Sequence, residues 1–118
     1  MTDMEMVMRD GLNLEFVKKQ TEEICLVAVK RNPFSLRYVM NQTEEICLEA
    51  VKRNGLALTF VNDQTEEICL TAVKQYGSAL KFVKNQTKDV CLEAVRQNEA
   101  VMDYIRNWEL RLEVEKML

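Results

Sequence analysis

The chain has 118 residues, 47% of them apolar and 30% charged, so it is long enough to bury one core and too apolar to stay disordered. Sixteen basic and 19 acidic residues are interspersed to a net charge of −3, which excludes bulk-charge attraction to nucleic acid or to an anionic membrane. Histidine is absent, which removes the commonest general base and the commonest zinc ligand.

The opening stretch, MTDMEMVMRD, carries acids where a signal peptide needs basic residues and has no continuous apolar core. No apolar run of about 18 residues follows anywhere, so no membrane-spanning helix is expected, and the expected location is cytoplasmic, in a bacterium or inside a host cell. Met4–Asp10 lies in register with Leu48–Asn54, as if the chain began with the back half of a repeated unit.

That unit is announced by TEEICL. It stands at Thr21–Leu26, Thr43–Leu48 and Thr65–Leu70, and returns as TKDVCL at Thr87–Leu92, a step of 22 residues each time. A fixed period of this size marks a stack of supersecondary units, none able to bury its apolar face alone. Counted from Gly11, the units are Gly11–Asn32, Pro33–Asn54, Gly55–Tyr76 and Gly77–Asn98, with a diverged fifth at Glu99–Leu118. The expected organisation is one helical-repeat domain over 1–118: a half-unit cap at 1–10, four units at 11–98 and a C-terminal cap at 99–118.

The first half of each unit reads LNLEFV, FSLRYV, LALTFV or SALKFV. Its alternation admits a strand, and a strand–helix unit would build a horseshoe. Against this, the sixth and seventh positions are both apolar every time (Phe16/Val17, Tyr38/Val39, Phe60/Val61, Phe82/Val83), and Leu58/Val61 is an i, i+3 pair. Those spacings favour a short helix.

The second half is the plainer helix. In Thr43–Asn54, Ile46/Ala50 and Cys47/Val51 are i, i+4 pairs. Thr43 is a candidate N-cap, with Asn41 and Glu44 as a rival capping box. Glu44 and Glu45 suit the positive start of the helix, and Lys52 and Arg53 its negative end. Asn54-Gly55 is expected to end it through a left-handed glycine, and Pro33 to end the preceding one by lacking an amide hydrogen. Glycine or proline at each joint also breaks the third option, one continuous helix. The expected fold is therefore all-α: a short solenoid of about 4.5 helix-turn-helix units, each helix about 8–11 residues and unstable alone.

The fifth unit puts Glu99 at the joint and Trp108 where the others have Gln20, Gln42, Gln64 and Gln86, while Met102, Tyr104 and Ile105 keep the apolar pattern. Its tail, WELRLEVEKML, reads as a cap with a polar outer side.

The phrase QTEEICLEAVKRNGLALTFV, Gln42–Val61, resembles the repeat of the family of domains of unknown function DUF4116, and the likeness runs from Gly11 to about Ile105. Departures are Pro33 for Gly, Tyr76 for Asn, and Lys88-Asp89-Val90 for Glu-Glu-Ile. The resemblance implies a setting in bacteria, their phages or giant viruses and in some effectors of intracellular bacteria. It assigns no chemistry.

Several constellations invite a function. Cys25, Cys47, Cys69 and Cys91 recur at one unit position, where equivalent helices lie about 8–10 Å apart, too far for a disulfide or for converging metal ligands. They are expected as small core residues, with no metal and no cofactor. Glu22, Glu23, Glu44, Glu45, Glu66 and Glu67 predict an acidic edge, while Lys30, Arg31, Lys52, Arg53, Lys74 and Arg96 predict a basic one without exposed aromatics for base stacking. The glutamines are read as turn residues or as a ladder between units. Large side chains found only once are not needed by the scaffold, and these are the candidate partner-binding residues: Trp108, Tyr76, Arg37, Met40, Lys81, Lys84 and Arg111, with Asp63 beside them. Trp108 has core of the cap as its other reading.

A free-standing solenoid acts through what it binds. The expected function is a non-catalytic protein-binding module, an adaptor or an inhibitor that occludes a site on a partner protein, with no direct nucleic-acid ligand. A phage-encoded inhibitor of a bacterial defence nuclease and a self-assembling repeat protein are the alternatives.

Overall fold

The computed structural model describes residues 1–118 as alternating α- and 3-10 helices with no strand. In chain order they are α1 (Asp3–Arg9), η1 (Gly11–Phe16), α2 (Glu22–Arg31), η2 (Pro33–Tyr38), α3 (Glu44–Arg53), η3 (Gly55–Phe60), α4 (Glu66–Gln75), η4 (Gly77–Phe82), α5 (Lys88–Gln97), η5 (Glu99–Tyr104) and α6 (Trp108–Lys116). Each α-helix packs on the next and each 3-10 helix on the next, giving two parallel rows 56 Å long in a body only 20 × 17 Å across. The chain is a helical-repeat solenoid, and the strand–helix horseshoe is not formed. No helix is long and apolar enough to cross a membrane.

The first half of each unit is helical as the apolar pairs require, but the helix is 3-10 rather than α. Six residues leave room for only two turns, and three residues per turn bring positions one, four and seven of a unit onto one face. Gly11, Leu14 and Val17 occupy those positions and are buried together, as are Gly55, Leu58 and Val61.

One residue at each joint serves both helices. Asn54 donates its backbone N–H to Ala50 O (3.0 Å) as α3 ends, and its Oδ1 accepts from Leu56 N (2.9 Å) as η3 begins. Asn32 and Asn98 do the same, and Asp10 opens η1 likewise. The joint residue is extended (φ −152°, ψ 111° at Asn54), and no glycine takes a positive φ. The expected left-handed glycine cap is thus replaced by an extended asparagine. Gly55 is needed for a different reason: a Cβ there would lie 2.4 Å from Ala72 O of the α-helix packed against it. At the other end of α3, Thr43 rather than Asn41 is the N-cap, its hydroxyl accepting from Ile46 N at 3.2 Å. Tyr76 breaks the joint rule. It offers no side-chain cap to η4, and its ring is exposed.

The core is a spine of identical rungs: Leu14, Leu36, Leu58 and Leu80 from the 3-10 row face Ala28, Ala50, Ala72 and Ala94 from the α row, all fully buried. One rung is imperfect. Ser35 stands where later units have Ala57 and Ala79, and its buried hydroxyl has no hydrogen-bond partner. An unsatisfied buried polar group costs about 1–3 kcal/mol. Ser35→Ala is therefore expected to raise the thermal midpoint, by roughly 4 °C for each kcal/mol recovered. A melting curve at or below that of the wild type would show that the hydroxyl is satisfied in solution.

Candidate functional site

With positions one, four and seven turned inward, positions two, five and six of each 3-10 helix turn outward. Position six is aromatic in every unit, and the rings line the surface rather than the core: Phe16 and Tyr104 are exposed, Tyr38, Phe60 and Phe82 half-buried. Position two adds the half-buried Leu12, Phe34 and Leu56. Position five places Arg37 and Lys81 over these rings. The Arg37 guanidinium lies 5.2 Å from the Tyr38 ring and 5.3 Å from Phe60, and the Lys81 ammonium lies 5.1 Å from Phe82 and 6.0 Å from Tyr104. Phe34 and Phe60 meet edge to face at 6.2 Å. Between them runs an open cleft of about 440 Å³, lined by Leu12, Asn32, Phe34, Arg37, Leu56, Thr59, Phe60, Lys81 and Phe82.

The candidate residues do not converge. Arg37 and Lys81 share the 3-10 face. Met40, Lys84 and Asp63 stand on the loops that follow it, with Met40 69% exposed and the Lys84 ammonium donating to Asn62 O at 3.3 Å. Tyr76 is exposed at the opposite edge, among the joints. Trp108 begins α6 at the C-terminal end and is 69% exposed, so its core reading is overturned; nearby, Arg111 is held by Asp103 (2.9 Å) and Glu115 (3.8 Å).

The glutamate edge has lysines at two of its crevices and none at the middle one, where Glu44 stands with Asp63. Glu22, Glu23, Glu44, Glu45, Glu66 and Glu67 are all exposed in the first turns of their helices, but the loops fold back beside them. Lys18 and Lys19 line one crevice with Glu22, and Lys84 lines another with Glu66. Thr43 and Thr87 of the next units donate their hydroxyls to Glu22 (3.4 Å) and Glu66 (2.7 Å). The basic residues at the helix ends are exposed, and Arg53 pairs with Glu49 at 3.4 Å.

The glutamines form the ladder between units. Gln42 Nε2 donates to Phe60 O (2.8 Å) while its Oε1 accepts from Asn62 N (3.0 Å), both in the following unit. Gln20, Gln64 and Gln86 repeat the pair of bonds on Tyr38/Met40, Phe82/Lys84 and Tyr104/Arg106. The Cys25, Cys47 and Cys69 thiols donate to the oxygens of Gln20, Gln42 and Gln64 at 3.5–3.6 Å. All four cysteines are free and buried.

Burial pushes Cys47, Cys69 and Cys91 up to about 11 and raises Cys25; Asp63 and then Glu44 add to the effect at Cys47, and Glu66 at Cys69. An unfolded thiol titrates near about 8.5. A folded pKa raised above the unfolded one contributes stability that is complete below about pH 8.5 and is lost as pH climbs toward the folded value. The unfolding midpoint is expected to fall between about pH 9 and pH 11, with a flatter profile in Cys47→Ala, and native protein at about pH 8 is expected to resist thiol reagents until it unfolds. Rapid labelling of all four thiols without denaturant would overturn this.

A family model matches residues 4–42, 43–87 and 65–111, overlapping spans that together take in nearly the whole chain. The last two begin one repeat apart, at Thr43 and Thr65. The chain belongs to DUF4116, a domain of unknown function. Neither a curated protein nor a solved structure matches it.

Within this DUF4116 array, sequence reasoning missed the aromatic rungs. Phe16, Tyr38, Phe60, Phe82 and Tyr104 read as half of a doubled apolar core pair. The available signal was the spacing of three between Leu58 and Val61, which places Phe60 off the buried face once the helix is 3-10.

Proposed function

We propose that this DUF4116 chain is a non-catalytic protein-binding module that acts by docking a partner protein along its 3-10 face, as an adaptor or as an inhibitor that covers a site on that partner. One observation carries the reading: the aromatic rungs, packed on the core by one side and open to solvent on the other, form with Arg37 and Lys81 laid across them an apolar and cationic strip. Aromatic and arginine side chains are the types that anchor protein interfaces, and rings already held by packing lose little entropy on binding.

Site-specific photo-crosslinking tests it. A photoreactive residue at Thr59, exposed in the middle of the strip, is expected to give a discrete protein adduct in lysate of the source cell. The same residue at Lys52, exposed on the basic edge, is expected to give none. Adducts from Lys52 and not Thr59, or no protein adduct from any exposed position, would overturn the reading.

A further inference from the structure

Position five of the units runs Glu15, Arg37, Thr59, Lys81, Asp103, with cations at the centre and acids at the ends. No carboxylate lines the central cleft, in a chain of net charge −3. Neither Arg37 nor Lys81 has an ion-pair partner, whereas Asp103 is taken by Arg111. Two unpaired cations, fixed over aromatic rings at 5.1–5.3 Å, flank a floor made by Leu12, Leu56 and Phe34.

We infer that the cleft from Leu12 to Phe82 is a docking groove for an extended acidic peptide segment of a partner, its carboxylates meeting Arg37 and Lys81 and its apolar side chains seated between the aromatic rungs. This rests on the protein-binding reading above and names the chemistry of the ligand. Helices packed side by side repeat at about 8–10 Å, and an extended chain in polyproline-II form advances about 3.1 Å per residue with three residues per turn, so every third side chain of the ligand falls on one face and meets an equivalent rung. Single-stranded nucleic acid shares the negative charge but binds by stacking bases on open ring faces. Here the faces of Tyr38, Phe60 and Phe82 already carry Arg37 and Lys81. The groove's leucines also offer nothing to a phosphate backbone.

The test is selection from a random library of displayed peptides about 12 residues long, enough to cover the roughly 24–30 Å from the first unit to the fourth with residues to spare at each end. Recovered sequences are expected to be rich in Asp and Glu, to carry Leu, Phe or Met, and to avoid Lys and Arg. Their binding is expected to weaken with added salt and to drop at least about 30-fold in Thr59→Glu and in the double variant Arg37→Glu, Lys81→Glu. These residues are exposed, so circular dichroism and melting curves should match the wild type. Recovery of basic or helical peptides, recovery of none, or equal binding by the variants would overturn the proposal. Tight binding of a poly-deoxythymidine strand that is lost in Thr59→Glu would assign the groove to nucleic acid instead. A dimer in sedimentation that Thr59→Glu dissolves would assign it to a second copy of this chain. A protein adduct from Thr59 alongside a failed peptide selection would leave the protein-binding reading standing and remove only the acidic-peptide ligand.

Discussion

Leu58→Ala is expected to lower the thermal midpoint by roughly 10 °C and to split the single unfolding transition. Leu58 is fully buried at the centre of the stack, between η2 and η4 and against the α row. Truncating such a side chain removes its transfer free energy and leaves a cavity, together about 2–5 kcal/mol, and each kcal/mol shifts the midpoint by roughly 4 °C in a chain of this size. The split follows from architecture. In a repeat array each unit touches only its neighbours, so stability is a sum of unit and interface terms. Weakening the central unit uncouples the halves on either side. Leu14→Ala deletes the same atoms from a fully buried site in the first unit, where neighbours lie mostly on one side. That variant should fray locally without dividing the transition. Calorimetry of the two variants decides the matter, and equal costs with unchanged cooperativity would show that the chain melts as one body.

Gln64→Ala is the second large effect, expected to cost about 2–4 kcal/mol by stranding two backbone groups at once. Gln64 donates to Phe82 O at 2.9 Å and accepts from Lys84 N at 2.9 Å, bolting the third unit to the fourth. Neither group has another protein partner in this solenoid, because a six-residue 3-10 helix ends before its last carbonyl finds a donor. Water reaches the half-buried rung in part, which holds the cost below the full sum. Gln86 makes the same bonds to Tyr104 O and Arg106 N in a more exposed setting near the C-terminus, so Gln86→Ala should cost less. Gln64→Met keeps the volume and loses the bonds, and it should destabilise nearly as much as alanine. Chemical denaturation of the three variants measures the order. A Gln64→Met protein as stable as wild type would show that the glutamine serves packing alone.

Both effects were partly legible beforehand. The return of Leu at position four and of Gln at position ten in the first four units announced that each does the same work there. What the glutamine bonds to was not legible, because its partners, such as Tyr38 O and Met40 N for Gln20, lie 18 and 20 residues on and come near only after the units stack. The candidate site divides in the same way. Arg37 and Lys81 stood out as large, unrepeated side chains, and both lie on the aromatic strip. Tyr76 and Trp108 stood out equally and proved to lie far from it, at the joint edge and the C-terminal end.

By itself the sequence determined the repeat, its 22-residue register, an α-helix in the second half of each unit and the burial of the cysteines. These follow from period and capping chemistry, which act within about one helical turn and need no knowledge of neighbours. Only the tertiary structure decided that the first-half helices are 3-10, that the joint asparagines are extended, that loop lysines stand beside Glu22 and Glu66, and that the aromatic rings lie half-buried to exposed on the outer side of the 3-10 row. Each depends on where one row of helices meets the next. Over six residues a 3-10 helix winds about a third of a turn further than an α-helix, which leaves the apolar pattern unchanged yet moves Phe60 out of the core to a half-buried place at its outer side.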